Sequence, residues 1–296
     1  VNIDLSDDAK EYGRQALRAF EAAGGDQLLQ QAEAKPDTRE ALVAPALSGL
    51  GAWELEPRTD PDALEAAAAL CRSAGYWALP YPVAERLAGL LVVSDTAPEA
   101  QLAGLDTDWV AATLDGRRSR VTGLGAGGPA FTTAVELTAT DGTADVALGL
   151  VLPCWTLLGM LDRALELTTA HVSLRKQFGQ PLSAFQGVQF QLTDAEVERS
   201  GFDILAKYTL WSLVTSDTDT AIDDSLALRL AVLEAAEVVF RVCHQLHGAV
   251  GFCDETTLSW LSRYSQPLRR LPFGLSQTRD ILTTRLGRRG LTGLFS

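Results

Sequence analysis

Apolar residues recur at intervals of three and four over most of the chain, the period of helices that bury one stripe. From Asp7 to Ala23 they fall at Ala9, Tyr12, Ala16, Leu17 and Phe20, which predicts a first helix. Pro36, Pro45, Pro57 and Pro61 punctuate the segments after it. Asp62–Ala74 combines strong helix formers with an acidic first turn and Gly75 just past its end, which predicts a second helix. Leu79-Pro80-Tyr81-Pro82 forbids a continuous helix there, and a new apolar segment runs from Val83 to Val93.

The texture changes near Gly104. Trp109–Leu114, Arg118–Thr122, Val135–Thr140 and Val146–Leu152 are short, often β-branched runs separated by Asp-Gly and Gly-Ala-Gly-Gly turn signals. They predict a small antiparallel unit of four or five strands, part of it lying against helices. The glycine-rich 125–129 segment reads as a loop, since no phosphate-binding lysine follows it. From Pro153, placed as in a first helical turn, the helical period returns. Leu157, Leu158, Leu161, Ala164, Leu165, Thr168 and Val172 form one stripe. Phe190–Val214 and Ala221–Leu246 follow as long helices joined by an acidic turn, then shorter pieces at Glu255–Ser265 and Gln277–Leu286. The expected fold is mainly α with a small β insert: a helical domain at 1–103, a reduced β domain at 104–152 and a helical bundle at 153–296.

Charge narrows the partners. The 296 residues carry 25 Lys plus Arg against 38 Asp plus Glu, a formal net charge of −13. Such a chain repels phosphate backbones, so no nucleic-acid role is expected. The longest uncharged run, Val146 to Leu161, has 16 residues and contains Pro153, too short and too broken to predict a membrane span. No basic segment followed by an apolar run opens the sequence, and the four cysteines are scattered, as expected of a cytoplasmic protein with reduced thiols.

Few residues suggest chemistry. His244 and His247 share a helix face, but no CxxC or HExxH accompanies them and no metal is expected. His171 reads as a polar-face or interface residue, and no nucleophile motif occurs. The informative stretch is Arg175-Lys176-Gln177-Phe178-Gly179-Gln180-Pro181-Leu182, followed by Phe185-Gln186 and Gln189. It describes a helix ending in a basic pair, a glycine stop, a tight turn and a new helix. Its arginine could present a planar fork to a phosphate, or simply offset the negative end of its own helix.

That stretch resembles the R-x-x-F-G-x-P-x-x-x-F-Q-x-x-Q-x-x-L-x-D signature of the acyl-CoA dehydrogenase family. Gln245-Leu246-His247-Gly248-Ala249-Val250-Gly251-Phe252 is similar to that family's Q-x-x-G-G-x-G-F/Y, with alanine at the second glycine. The stretch from Gly75 to Leu91 also resembles the helical domain of bacterial members. The resemblance implies an acyl-CoA dehydrogenase-like fold with an N-terminal helical domain, a β domain and a C-terminal four-helix bundle, binding FAD and an acyl-CoA thioester. By position, Arg175 is implied to pair with the FAD pyrophosphate. Gln177 and Phe178 would line the nucleotide, Gln186 its edge, and Gln245 with Gly248 would contact it through polar and backbone groups.

The departures carry as much information as the match. The family's β domain is considerably longer than 104–152 and has a T-E-x-x-x-G-S-D-like segment that is missing here. Counting on from Phe252 to the family's catalytic glutamate reaches Pro272, with Arg263 falling on the family's Arg-Asp arginine. Counting back from Arg175 to the alternative base position reaches Gly149. Asp145, Asp254 and Glu255 are the nearest acids. The resemblance therefore implies one subunit of an α2β2 heterotetramer, as in bacterial steroid and cholesterol breakdown. A full-length acyl-CoA dehydrogenase subunit would share the FAD and supply the base, with electron-transfer flavoprotein as acceptor. Two alternatives stay open: a self-sufficient dehydrogenase with a displaced carboxylate, and a flavin-free scaffold.

Overall fold

The computed structural model describes residues 2–102 and 108–290. Helix α1 (Asp7–Ala23) starts at Ser6, whose hydroxyl accepts the Ala9 N–H, and buries Ala9, Ala16 and Phe20. Helices α2 (Asp26–Ala34), α3 (Arg39–Gly49), α4 (Pro61–Tyr76) and α5 (Val83–Ala88) complete the N-terminal group. The strands are β1 (Leu91–Val92), β2 (Glu99–Gln101), β3 (Val110–Ala112), β4 (Arg117–Gly127) and β5 (Thr132–Thr143). They form one sheet in the order β1-β3-β4-β5-β2. Then come α6 (Ala147–Leu174), the hairpin strands β6 (Lys176–Gln177) and β7 (Gln180–Pro181), and helices α7 (Gln186–Thr215), α8 (Thr218–His247), α9 (Thr257–Arg270) and α10 (Leu275–Arg289). The architecture is mainly helical with a small sheet, in the order helices, sheet, helical bundle that the sequence predicts.

Several expectations change. Val146–Leu152 is not a strand. From Ala147 to Leu152 it is the start of α6, buried on all sides, so its apolar run is continuous and its length decides for helix. Pro153 consequently lies inside α6, where its missing N–H leaves the Gly149 carbonyl without a helical partner. Gly125–Gly127 continues β4 rather than forming a loop. The sheet is not wholly antiparallel, because β1 arrives from the helical side and pairs parallel with β3. Its strands begin at Leu91, ahead of the expected boundary at 103–104, which itself touches residues outside the described ones.

Gly75 does not stop α4; it lets α4 and α6 touch. A Cβ there would stand 1.8 Å from the Thr156 carbonyl oxygen, and one at Gly159 would stand 1.8 Å from that of Arg72. The two glycines make a reciprocal close crossing that no larger residue could occupy. Beside it Arg72 bridges Asp162 (2.6 Å) and Asp203 (2.8 Å), binding the N-terminal helices to the bundle. Helix α6 is long and apolar enough to cross a membrane by composition, but 78% of its most apolar window is buried inside the protein. Trp155, Leu157, Leu158 and Leu161 on it are almost wholly covered, so its hydrophobicity is spent on the core.

Candidate functional site

The two signature stretches meet at one end of the bundle. Helix α6 ends at Arg175, whose backbone turns extended (φ −70°, ψ 122°) while its N–H still bonds the His171 carbonyl at 2.8 Å. The Arg175 carbonyl accepts the Leu182 N–H at 2.8 Å, closing a hairpin in which Gln177 faces Gln180. Its two-residue tip is Phe178 (φ 51°) and Gly179 (φ 81°). Left-handed backbone at both positions suits a primed turn, easily for glycine and at a cost of about 1 kcal/mol for phenylalanine. That strained phenylalanine is 92% exposed. Its ring meets that of Phe185 edge-on, with centroids 6.3 Å apart. Gln189, inside the signature, braces the turn by donating to the Ser183 carbonyl at 2.9 Å.

Helix α8 brings the second stretch alongside. His247 is buried, its Nδ1 lies 2.9 Å from the Cys243 carbonyl, and its ring stacks on His171 at 4.3 Å. This stack fastens the end of α6 to the end of α8, four residues before Arg175 and two after Gln245. Gly248 ends α8 with φ 64°, a conformation suited to glycine, and a Cβ at Gly251 would lie 2.8 Å from that of His247. His244 stacks on Phe252 at 4.3 Å, so the two histidines point into separate aromatic contacts rather than converging. Burial pushes the His247 imidazole below its ordinary range, against the raising effect of the Cys243 carbonyl, with His171 and His244 adding to the fall. Burial and then the Arg175 charge do the same to His171.

All six residues singled out in the sequence, Arg175, Gln177, Phe178, Gln186, Gln245 and Gly248, lie on the exposed surface. The first four belong to the hairpin and the α7 start, the last two to the α8 end. Among the described residues the Arg175 guanidinium has no ion pair or hydrogen bond, on a chain where most arginines are paired with carboxylates. An unpaired Arg-Lys step, an aromatic and exposed amides fit a diphosphate and an aromatic base.

A second region forms where the family's two base positions were counted. Gly149 and Pro272, far apart in sequence, line one small cavity of about 40 Å³ together with Glu85, Val92, Arg229 and Leu271. A Cβ at Gly149 would stand 2.7 Å from the Val92 side chain, so β1 fills the place a side chain would need. Such a volume holds about three water molecules and no acyl chain. Arg229, 2% exposed, donates to the carbonyls of Leu268, Leu271 and Phe273 and holds the Pro272 segment in place. Glu99, also on the cavity wall, pairs with Arg270 at 2.7 Å.

Glu85 was missed in the sequence. It sits on α5, makes no ion pair among the described residues, and burial pushes its carboxyl up to about 7. The available signal was a lone carboxylate, next to Arg86, in the mostly apolar Val83–Val93 run. The three acids nearest in sequence lie elsewhere. Asp145 caps α6 through the Ala147 N–H, Asp254 pairs with Arg263 at 2.7 Å, and Glu255 is exposed.

Comparison with known proteins bears on both regions. Residues 149–281 match the family described as acyl-CoA dehydrogenase, C-terminal domain. Acyl-CoA dehydrogenase FadE28 of Mycobacterium tuberculosis is 36% identical over 129 residues, 43% of this chain and 37% of that protein. The chain thus spans little more than a third of that relative's length. Among solved structures, the Tcur3481–Tcur3483 steroid ACAD superposes with a TM-score of 0.78 at 17% identity, covering 98% of this chain and 100% of the other. The ChsE4–ChsE5 complex from Mycobacterium tuberculosis gives 0.75 at 15%, covering 99% and 100%. Residues 149–281 thus match the acyl-CoA dehydrogenase C-terminal domain, and the chain as a whole has the acyl-CoA dehydrogenase-like fold.

Proposed function

We propose that this chain is one subunit of a hetero-oligomeric, FAD-dependent acyl-CoA dehydrogenase, lending its exposed bundle end to a cofactor held mainly by a full-length partner. The observation that carries the reading is the contrast in exposure. The nucleotide-type residues stand on the surface, while Gly149 and Pro272, at the counted base positions, line a cavity of about 40 Å³ in which Val92 fills the place of a side chain at 149. Bound FAD would accept the hydride from the acyl β-carbon. Arg175 would pair with its pyrophosphate, Gln177 and Phe178 would flank the nucleotide, Gln186 would edge it, and Gln245 with the Gly248 backbone would hold the adenosine side. The partner's carboxylate would take the α-proton. The likeness to the steroid ACAD and to the ChsE4–ChsE5 complex supports a hetero-oligomer acting on a steroid-derived acyl-CoA; an α2β2 stoichiometry, electron-transfer flavoprotein as acceptor and a cytoplasmic setting complete the proposal.

Glu85 favours a second reading, in which this chain holds its own displaced base. One experiment separates the two. The chain is expressed alone and together with a full-length dehydrogenase subunit, and the visible flavin spectrum is recorded for each. A spectrum only from the pair supports the shared site; a stoichiometric flavin spectrum from the isolated chain overturns it.

A further inference from the structure

The chain has three histidines, and all three lie at the helix ends that carry the two motifs. His171 is on the last turn of α6, four residues before Arg175 and so one turn below it on the same helix face. Its ring stacks on that of His247, with centroids 4.3 Å apart and planes 21° from parallel. The Cys243 carbonyl, 2.9 Å from His247 Nδ1, can only accept, so Nδ1–H donates and the neutral ring leaves Nε2 bare. The charges that act on the pair have one sign. Arg175 acts on His171 from α6, and His171 and His244 act on His247. The Cys243 thiol, pushed up to about 11 by burial, stays neutral. Among the described residues no carboxylate of any element bonds or pairs with either ring. The negative end of α6 by itself favours a proton on His171, but Arg175 already supplies a cation one turn on. A proton on His171 therefore sets two unpaired positive charges one turn apart, and a proton on His247 buries a cation with no counterion.

We infer that His171 is a positioning residue for Arg175: as a neutral ring seated on His247 it holds the α6 end where Arg175 meets the flavin pyrophosphate, and on taking a proton it leaves the stack and loosens the cofactor. The inference deepens the shared-cofactor reading and rests on it. His247 is the buried platform, while His171 is half-buried and reaches water, so His171 is the ring that titrates. The hairpin hangs on this last turn through two bonds, from the Arg175 N–H to the His171 carbonyl and from the Leu182 N–H to the Arg175 carbonyl, both 2.8 Å. A shift of residue 171 therefore carries Arg175 with it. Burial, then the Arg175 charge, holds the seated His171 below its ordinary 6.5, so the displaced ring binds the proton more readily than the stacked one. The stack is complete above the ordinary histidine range and is lost as pH falls below it. An imidazolium that met the phosphates directly would have the opposite effect and tighten the cofactor in acid.

The test has two arms. In the first, the full chain is labelled with ¹⁵N at histidine and arginine, and the side-chain resonances of His171 and Arg175 are followed by NMR between about pH 8 and pH 5. His171 should titrate below its ordinary range, and the Arg175 Nε–H resonance should move with the same midpoint. In His171→Phe the Arg175 resonance should stay still over that range. An ordinary or raised His171 midpoint, or an Arg175 resonance that ignores it, overturns the proposal with no flavin involved. In the second arm, release of FAD from the complex with the full-length subunit is timed by flavin fluorescence. Wild type should release about tenfold faster near pH 5.5 than near pH 7.5, the change that one unit of coupling brings. His171→Phe, which stacks but takes no proton, should keep the slow release across the range, and His171→Ala should release about tenfold faster throughout. A merely structural ring would leave the acid increase in the phenylalanine variant, and that result overturns the proposal, as does tighter retention in acid. If His171→Ala loses its helical circular-dichroism spectrum, the phenylalanine variant and the first arm decide. A wild-type complex without flavin near neutral pH overturns the cofactor reading instead, and the first arm still judges how His171 positions Arg175.

Discussion

The two ends of α6 have opposite fates. At its C-terminal end the chain keeps an arginine without an ion pair among the described residues, a strained exposed phenylalanine and a glycine-shaped turn, beside the His171–His247 stack. Near its N-terminal end, where Gly149 meets Pro272, the space has contracted around Val92 and an arginine bonded to backbone carbonyls. The residues proposed for the nucleotide are exposed, and Val92 fills the place a side chain at 149 would need. In the proposed reading a second chain encloses the ligand that this exposed surface only borders.

The largest expected effect lies outside this chain. In the assembled complex, replacing the partner's glutamate should lower turnover by on the order of a hundredfold or more. Asp145→Asn, Asp254→Asn, Glu255→Gln and Glu85→Gln should each leave it within a few-fold. If steady-state assays show one of these four abolishing turnover with flavin still bound, the contrast between the two regions collapses and this chain has its own active site.

Next in size is Arg175→Ala. Removing one side of a charge-assisted contact to a diphosphate costs about 2–5 kcal/mol, so FAD should dissociate thirty-fold or more faster in flavin-release measurements. Unchanged retention would show that the exposed end holds no pyrophosphate.

The cavity predicts a stability effect with a definite sign. The Glu85 carboxyl is raised in the folded state, to about 7 from an ordinary 4.5, so folding favours its protonated form. That contribution is complete below pH 4.5 and is lost as pH rises toward 7. Glu85→Gln should therefore match wild type in urea unfolding at pH 4.5 and exceed it by roughly 1–3 kcal/mol at pH 8. A variant less stable at pH 8 would mean that the carboxylate has a partner it needs.

The smallest effect sharpens the reading of the hairpin. Phe178→Asn relieves left-handed strain and should raise the folding stability of the isolated chain by up to about 1 kcal/mol. The same change should weaken flavin retention in the complex. A change that leaves both measurements unmoved would make the exposed phenylalanine incidental.

Much of this was legible in the residues. Helix α1 runs from Asp7 to Ala23 as the apolar spacing predicts, and the α6 stripe from Leu157 to Val172 is buried throughout, because burying one helical face imposes its period on the sequence. The hairpin too was readable, since Gly179 and Pro181 have few backbone options. Val146–Leu152 misled because a segment buried on every side shows no period, and a continuous apolar run suits strand and helix alike. Gly75 misled in the other direction: its small size serves the crossing with Thr156, a contact between residues eighty-one positions apart.

The sequence by itself determined the helical framework, which rests on local backbone preferences, while the six residues proposed for the nucleotide were named from the resemblance of two motifs, each spaced within a short stretch. Only the tertiary structure decided that Gly149, Pro272 and Glu85 share one cavity, that Val92 occupies the place of a side chain at 149, and that His171 stacks on His247 to bring the motifs together. Each of these depends on packing between distant segments, whose geometry is set by the volume and shape of the whole core and leaves no periodic trace along the chain.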